Sequence, residues 1–211
     1  DADQAEIERL KKKYEQDRNI VFHNLFLGRE NKTVPFYLAE HKGYSSSKPI
    51  NLKSLWFGRV RSNEIKIERE IEIGCSRSGP WIEQTVPGPL IVKLDIEGGE
   101  LDFLAGLTER CFQEIEAFVI EASFDDPYQS DCNFSTISQF LRQHGFWLAN
   151  IELQKEALGA FYEEADKIPI VSNAIFLANK YRDGEGGSRG LIEAETLFLL
   201  NLQGLFVEKL L

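Results

Sequence analysis

The sequence predicts an α/β fold, a β-sheet with helices on both faces. Segments of strand character alternate with segments of helical periodicity along the 211 residues. Residues 89–122 read as strand, helix, strand, the length of a right-handed crossover unit. The two strand segments of that unit, 89–96 (PLIVKLDI) and 115–122 (IEAFVIEA), are near-continuous apolar runs. Strands buried on both faces, such as the central strands of a parallel sheet, read that way.

The other elements follow in order. Residues 1–16 read as a helix, because Ile7, Leu10 and Tyr14 recur at i, i+3 and i+7 and Asp1 and Asp3 suit its positive end. Residues 19–27 (NIVFHNLFL) are apolar and β-branched enough for a buried strand. A turn over 28–32 leads to a second strand over 33–39 (TVPFYLA), which Pro35 assigns to an edge. Residues 41–51 form a loop rich in Ser, Gly and Pro. Residues 64–73 (EIKIEREIEI) alternate, with Ile65, Ile67, Ile71 and Ile73 on one side and Arg69 interrupting the apolar row, as in a half-exposed strand. Residues 75–88 are predicted to be loop on their Ser-Gly-Pro and Pro-Gly-Pro punctuation. Gly98 and Gly99 turn the chain into a helix over 100–108, with Leu101, Leu104 and Ala105 inward. A further helix over 135–144 turns Ile137, Phe140 and Leu141 inward and is closed by Gly145 at its C′ position. Residues 146–153 and 168–178 are late strands.

The tail is different in kind. Residues 183–190 are a Gly-rich hinge, and 191–211 form a helix that is apolar almost all round. Its uncharged run, 196–207, is too short to span a bilayer, which needs ~20 residues. It must therefore bury itself on the domain or on a partner, and a homodimer through this C-terminal helix fits that need. Residues 1–182 are left as the catalytic domain.

Charge and cysteine content narrow the function. Lys and Arg number 24 against 34 Asp and Glu, a net charge of −10. That balance weighs against nucleic acid and against anionic membranes. The three cysteines and three histidines form no short ligand pair, which argues against structural zinc. An odd cysteine count and a charged first segment without an apolar h-region point to a reducing, cytoplasmic setting. The sequence has no methionine and opens on Asp1. The expectation is that it begins partway into a longer product.

Chemistry concentrates in residues 90–107, LIVKLDIEGGELDFLAGL. Asp95, Glu97 and Glu100 lie within six residues at the carboxyl end of a buried strand, the edge where open α/β sheets bind ligands. Glu121 ends the next predicted strand. If the two strands are adjacent and parallel, Asp95 and Glu121 converge. Lys93 shares a strand face with Asp95 and completes the candidate catalytic set of Asp95, Glu97, Glu100, Lys93 and Glu121. Each has a plainer use: Glu97 and Glu100 suit a helix start, and Lys93 with Asp95 suits a structural ion pair. As a cluster the carboxylates are costly to group without a purpose.

These residues resemble the hallmark of the FkbM-type methyltransferases, close to K-I-D-V-E-G-A-E followed by a helix ending L-x-G. The match falls on Lys93, Leu94, Asp95, Ile96, Glu97, Gly98, Gly99, Glu100, Leu104 and Gly106. DADQAEIERL at the start, HNLFLG at 23–28, FVIEAS at 118–123 and SNAIFLANK at 172–180 are similar to flanking segments of that family. The resemblance implies a Rossmann-like class I fold and S-adenosylmethionine as cofactor. It also implies O-methylation of a hydroxyl on a small-molecule or glycan acceptor, a sugar or natural product.

Under that implication Asp95 is the first candidate for the base or for holding a metal such as Mg²⁺, because the acceptor hydroxyl must lose a proton. Asp1 would bind the cofactor ribose. Asn24, Leu27 and Gly28 would lie near the adenine, with Asp95 completing the cofactor set. The loop over 41–48, with Tyr44 and Ser45 to Ser47, would border the acceptor pocket. The family's glycine-rich loop, of type D-x-G-A-N-x-G, has no counterpart in the 211 residues. The strand carrying it is expected to stand beside 89–96, supplied by one or two βα units preceding Asp1. Two other readings remain open: a metal-dependent hydrolase or phosphotransferase built on the carboxylates, and a non-catalytic interaction module of the same fold.

Overall fold

The computed structural model describes residues 4–62, 65–86, 88–156 and 168–182. The hinge, the C-terminal helix and Asp1 lie outside the described residues. The architecture is mixed α/β with two sheets.

The chain opens with α1 (Gln4–Lys13), which buries Ile7 and Leu10 as their spacing predicts. The first sheet holds β1 (Phe26–Gly28), β2 (Lys32–Ala39) and β3 (Ile67–Arg77) in the order β1-β3-β2. β1 runs parallel to β3, and β2 runs antiparallel to it. Pro35 is accordingly on an edge strand, where a missing N–H breaks no ladder with β3's far side. The strand expected over 19–27 is reduced to its last residues. Only Phe26–Gly28 meet a partner, Cys75–Arg77, while His23 upstream packs edge-on against Trp81.

The predicted loop over 75–88 is corrected. β3 continues to Arg77, and α2 (Ser78–Thr85) follows at once. Pro80 falls in the first turn of α2, where a proline costs no hydrogen bond and its fixed φ suits the helix.

The second sheet has the order β4-β5-β7-β6, built from β4 (Leu90–Leu94), β5 (Ile115–Ser123), β6 (Phe146–Glu156) and β7 (Ile168–Ala178). β4 and β5 are parallel and adjacent, with Leu94 opposite Ile120. β7 is antiparallel to both β5 and β6, so the expected parallel sheet is mixed. β4, read as a central strand whose other neighbour precedes Asp1, stands at the end of this sheet. Among the described residues β5 is its only strand neighbour.

Helices α3 (Glu100–Gly106) and α4 (Glu109–Glu114) fill the β4–β5 crossover, and α5 (Phe134–Gln143) connects β5 to β6. α6 (Asn179–Arg182) follows β7. α5 has a capping box between Asn133 and Thr136, and it ends at Gly145, whose φ of 84° is the left-handed C′ conformation predicted for it. The core lies where β5 and β7 meet α3 and α5. Leu104, Phe118, Ile120, Ile137, Leu141 and Phe176 are each at most 1% exposed. Burying each such side chain is worth roughly 1.5–3 kcal/mol. Among the described residues no helix is long and apolar enough to cross a membrane.

Candidate functional site

Because β4 and β5 are parallel neighbours, their carboxyl ends open on the same side, and the turn after β4 meets the end of β5 there. Asp95 and Glu121 converge as expected: the Glu121 carboxyl donates a hydrogen bond to Asp95. Lys93 Nζ donates to Asp95 Oδ2 at 2.7 Å. The Asp95 side chain keeps 42% of its surface exposed, while Lys93 keeps 19%.

The turn itself is tightly bent. Glu97 has φ of 55° and Gly98 φ of 85°, both left-handed. Glycine reaches that region freely and glutamate does not. A Cβ on Gly98 would also sit 2.9 Å from the Tyr128 ring, so Tyr128 lies directly on the Gly98 backbone. Tyr128 Oη donates to Glu97 Oε2 at 2.7 Å. Glu100 turns inward and is 4% exposed. Its Oε1 accepts from the Ile96 N–H at 3.0 Å, and its Oε2 accepts from Cys132 Sγ at 3.2 Å. This carboxyl closes the turn from inside.

Glu97, Glu100 and Glu121 border a cavity of about 120 Å³, whereas Asp95 and Lys93 are not part of its wall. Its wall includes Tyr44, Trp56, Glu97, Glu121, Tyr128 and Cys132. Tyr44 comes from the loop predicted to border the acceptor. Trp56 comes from a single π-helical turn, Trp56–Val60, that follows it. An edge-to-face ladder runs from Tyr44 through Phe57 to Tyr128, with centroids 5.2 and 5.3 Å apart. The segment carrying Trp56 is fastened to the 124–133 loop: the Asn51 N–H donates to Pro127 O and the Gln129 N–H to Pro49 O, both at 2.8 Å.

The electrostatics divide the carboxyls into two kinds. Burial pushes Glu97 up to about 8, opposed by its Tyr128 hydrogen bond. Burial and the neighbouring Asp95 push Glu121 up to about 9. Glu100 is raised by complete burial. Burial would raise Asp95 too, but the hydrogen bond from Glu121 and the Lys93 ammonium outweigh it and hold Asp95 low. At neutral pH the ionised Asp95 carboxylate therefore stands beside two neutral acids, Glu97 and Glu121. Burial likewise raises the Tyr128 phenol and the Cys132 thiol, so both stay protonated hydrogen-bond donors.

The structure thus brings together Lys93, Asp95, Glu97, Glu100 and Glu121. The cofactor candidates on the amino-terminal side stand apart. Asn24 is exposed, whereas Leu27 and Gly28 are buried on β1, where Gly28 packs against Gly106 of α3. None of these three lines the cavity. Trp56, Tyr128 and Cys132 were not singled out as site residues by sequence, and Ser46 was named only as part of the 41–48 loop. The signal for Tyr128 is an aromatic residue in a polar loop just past the carboxyl end of β5, the edge where ligands bind. Among the described residues no three His, Cys, Asp or Glu are grouped so as to hold a metal ion.

Comparison with known proteins adds one finding. The model of the methyltransferase FkbM domain matches residues 3–148, more than half of the chain. No curated protein and no solved structure matches.

Proposed function

From the premise that this chain belongs to the FkbM methyltransferase domain family, we propose that it is an S-adenosylmethionine-dependent O-methyltransferase whose acceptor is a hydroxyl of a sugar or natural product. The observation that carries this reading is the ionised carboxylate of Asp95 at the carboxyl edge beside a cavity lined by neutral acids and aromatic rings.

Bound S-adenosylmethionine would supply an electrophilic methyl group on a sulfonium. The negative charge of Asp95 suits such a cation, which is the fit this edge offers. Asp1 and Asn24, with Leu27 and Gly28, remain the proposed ribose and adenine side of the donor site. Transfer to oxygen is an in-line displacement, so much of the protein's work is positioning. Tyr44, Trp56 and Tyr128 present apolar faces and polar tips to an acceptor, as sugars and aromatic natural products require. The acceptor hydroxyl must also give up its proton. In this reading Asp95 takes it, with its neighbour Glu121 at the cavity wall sharing the proton and Lys93 fixing the carboxylate's direction. Glu97, neutral below about 8, is suited to donate a hydrogen bond to the acceptor rather than to remove its proton.

Residues 1–182 form the catalytic unit in this reading. The apolar 191–211 segment serves as a dimer contact, and three buried free cysteines agree with a reducing, cytoplasmic setting. Calorimetric titration of the full-length protein with S-adenosylmethionine tests the proposal. Binding that is lost in Asp95→Ala while the fold persists is expected. No heat of binding at millimolar cofactor would sink it.

A further inference from the structure

Glu97 is the one described non-glycine residue with a left-handed backbone, and something must hold it there. Ser46 is the group that reaches it. Ser46 is 1% exposed, and its Oγ donates to the Glu97 carbonyl oxygen at 2.6 Å across 51 residues of chain. The same Oγ accepts from the Lys48 N–H at 2.9 Å, so its rotor is committed. Ser46 is itself locked to the first sheet. Its N–H donates to Tyr37 O and its carbonyl accepts from the Tyr37 N–H, at 3.1 and 2.8 Å. Two residues on, Lys48 Nζ meets Asp102 Oδ2 at 2.6 Å, which pins this loop to α3 as well.

Tyr128 acts on the other end of Glu97. Its ring covers the Gly98 backbone, and its hydroxyl reaches the Glu97 carboxyl. We propose that Ser46 and Tyr128 are positioning residues for Glu97, Ser46 holding its backbone in the left-handed turn and Tyr128 aiming its carboxyl along the cavity wall. The importance of that placement rests on the reading of the cavity as the acceptor site. The pair also links the two sheets, because Ser46 hangs from β2 and Glu97 follows β4. A shift of the 41–48 loop would therefore move a wall residue of the cavity (Tyr44) and the carboxyl facing it together.

Two readouts test this without donor or acceptor. The infrared band of the protonated Glu97 carboxyl is assigned by its disappearance in Glu97→Gln. Tyr128→Phe keeps the ring and removes the hydroxyl. It is expected to shift that band and to raise the pH at which the band vanishes. Ser46→Ala is expected to shift or broaden the band, and Ser46→Thr, which keeps a hydroxyl, to restore it. A band unmoved by Ser46→Ala despite a lowered melting temperature would leave Ser46 a merely structural residue and overturn the proposal.

The second readout is a thermal double-mutant cycle. The Ser46 bond is to a backbone carbonyl that Glu97→Gly keeps, and glycine has no left-handed strain to release, so Ser46→Ala should lower the melting temperature by the bond's full worth in a Glu97→Gly background and by less in the wild-type protein, where the freed turn relaxes. Equal losses in both backgrounds overturn the backbone half of the proposal. The loss of the Lys48 contact is common to both arms and cancels. Failure of S-adenosylmethionine to bind would overturn the activity and leave both readouts standing.

Discussion

β3 and the β4–β5 edge are both rich in isoleucine and glutamate, and they put their glutamates to opposite use. Along β3 (IEREIEIGCSR) Glu68, Glu70 and Glu72 project into solvent, and even the isoleucines between them are only partly covered. β5 (IEAFVIEAS) is buried on both faces. Its first glutamate, Glu116, is met by Lys180 at 3.4 Å, while its second, Glu121, is turned toward Asp95. The net charge of −10 is thus not one property. On β3 it is a solvated face. At the β4–β5 edge burial raises the Glu97, Glu100 and Glu121 carboxyls, while Glu121 and Lys93 hold Asp95 low. A carboxylate's role follows from its surroundings and not from its residue type.

The largest expected effect falls on the Asp95 charge. Asp95→Asn removes the ionised carboxylate at nearly constant shape. It should reduce S-adenosylhomocysteine release over a panel of hydroxylated acceptors by roughly 10²–10⁴-fold, the usual worth of a positioned base. Undiminished release would break the contrast between the two regions at its centre.

A second expected effect, on stability, compares two glycines. Gly98→Ala forces a side chain onto a left-handed backbone and against the Tyr128 ring. It should cost roughly 1–3 kcal/mol, read as a fall of several degrees in melting temperature. Gly74→Ala on β3 meets nothing within 4 Å. There the change should be neutral, or stabilising by up to about 1 kcal/mol, because alanine loses less backbone freedom on folding. Equal effects would mean that the turn after β4 is no more constrained than an exposed strand.

The contrast also explains what could be read from the sequence alone. The strand-turn-helix over 90–107 was legible because a long apolar run, two glycines and a helical face follow one another without ambiguity. From it the meeting of Asp95 with Glu121 followed, since parallel neighbours must present their carboxyl ends together. The Tyr44 loop was pointed to by the family resemblance and not by the residues' own pattern, and in the structure Tyr44 lines the cavity at that edge. α2 was hidden because Pro80 reads as a breaker unless the helix start is known to lie just before it. The contacts of Ser46 and Tyr128 with Glu97 were illegible for a different reason. They reach Glu97 across 51 and 31 residues, and no local pattern encodes a contact of that span.

The last expected effects concern pH, and their sign is set by Glu97. Its carboxyl rises from 4.5 to about 8 on folding. Between those values the folded protein holds a proton that the unfolded chain has lost, so stability should fall as pH climbs through that window and level off above it. Glu121, raised to about 9, extends the same trend upward. Melting curves of Glu97→Gln should therefore be flatter than wild type between about pH 5 and pH 8. The variant should be relatively most stable at the alkaline end, where the wild-type protein must ionise a buried acid. Glu72→Gln on β3 is the control. That side chain is exposed, and its replacement should stay within about 0.5 kcal/mol of wild type at every pH. A Glu72→Gln profile as flat as that of Glu97→Gln would show that the pH dependence comes from general charge repulsion in an acidic protein. The cavity carboxyls would then be no different in kind from those on the outer strand.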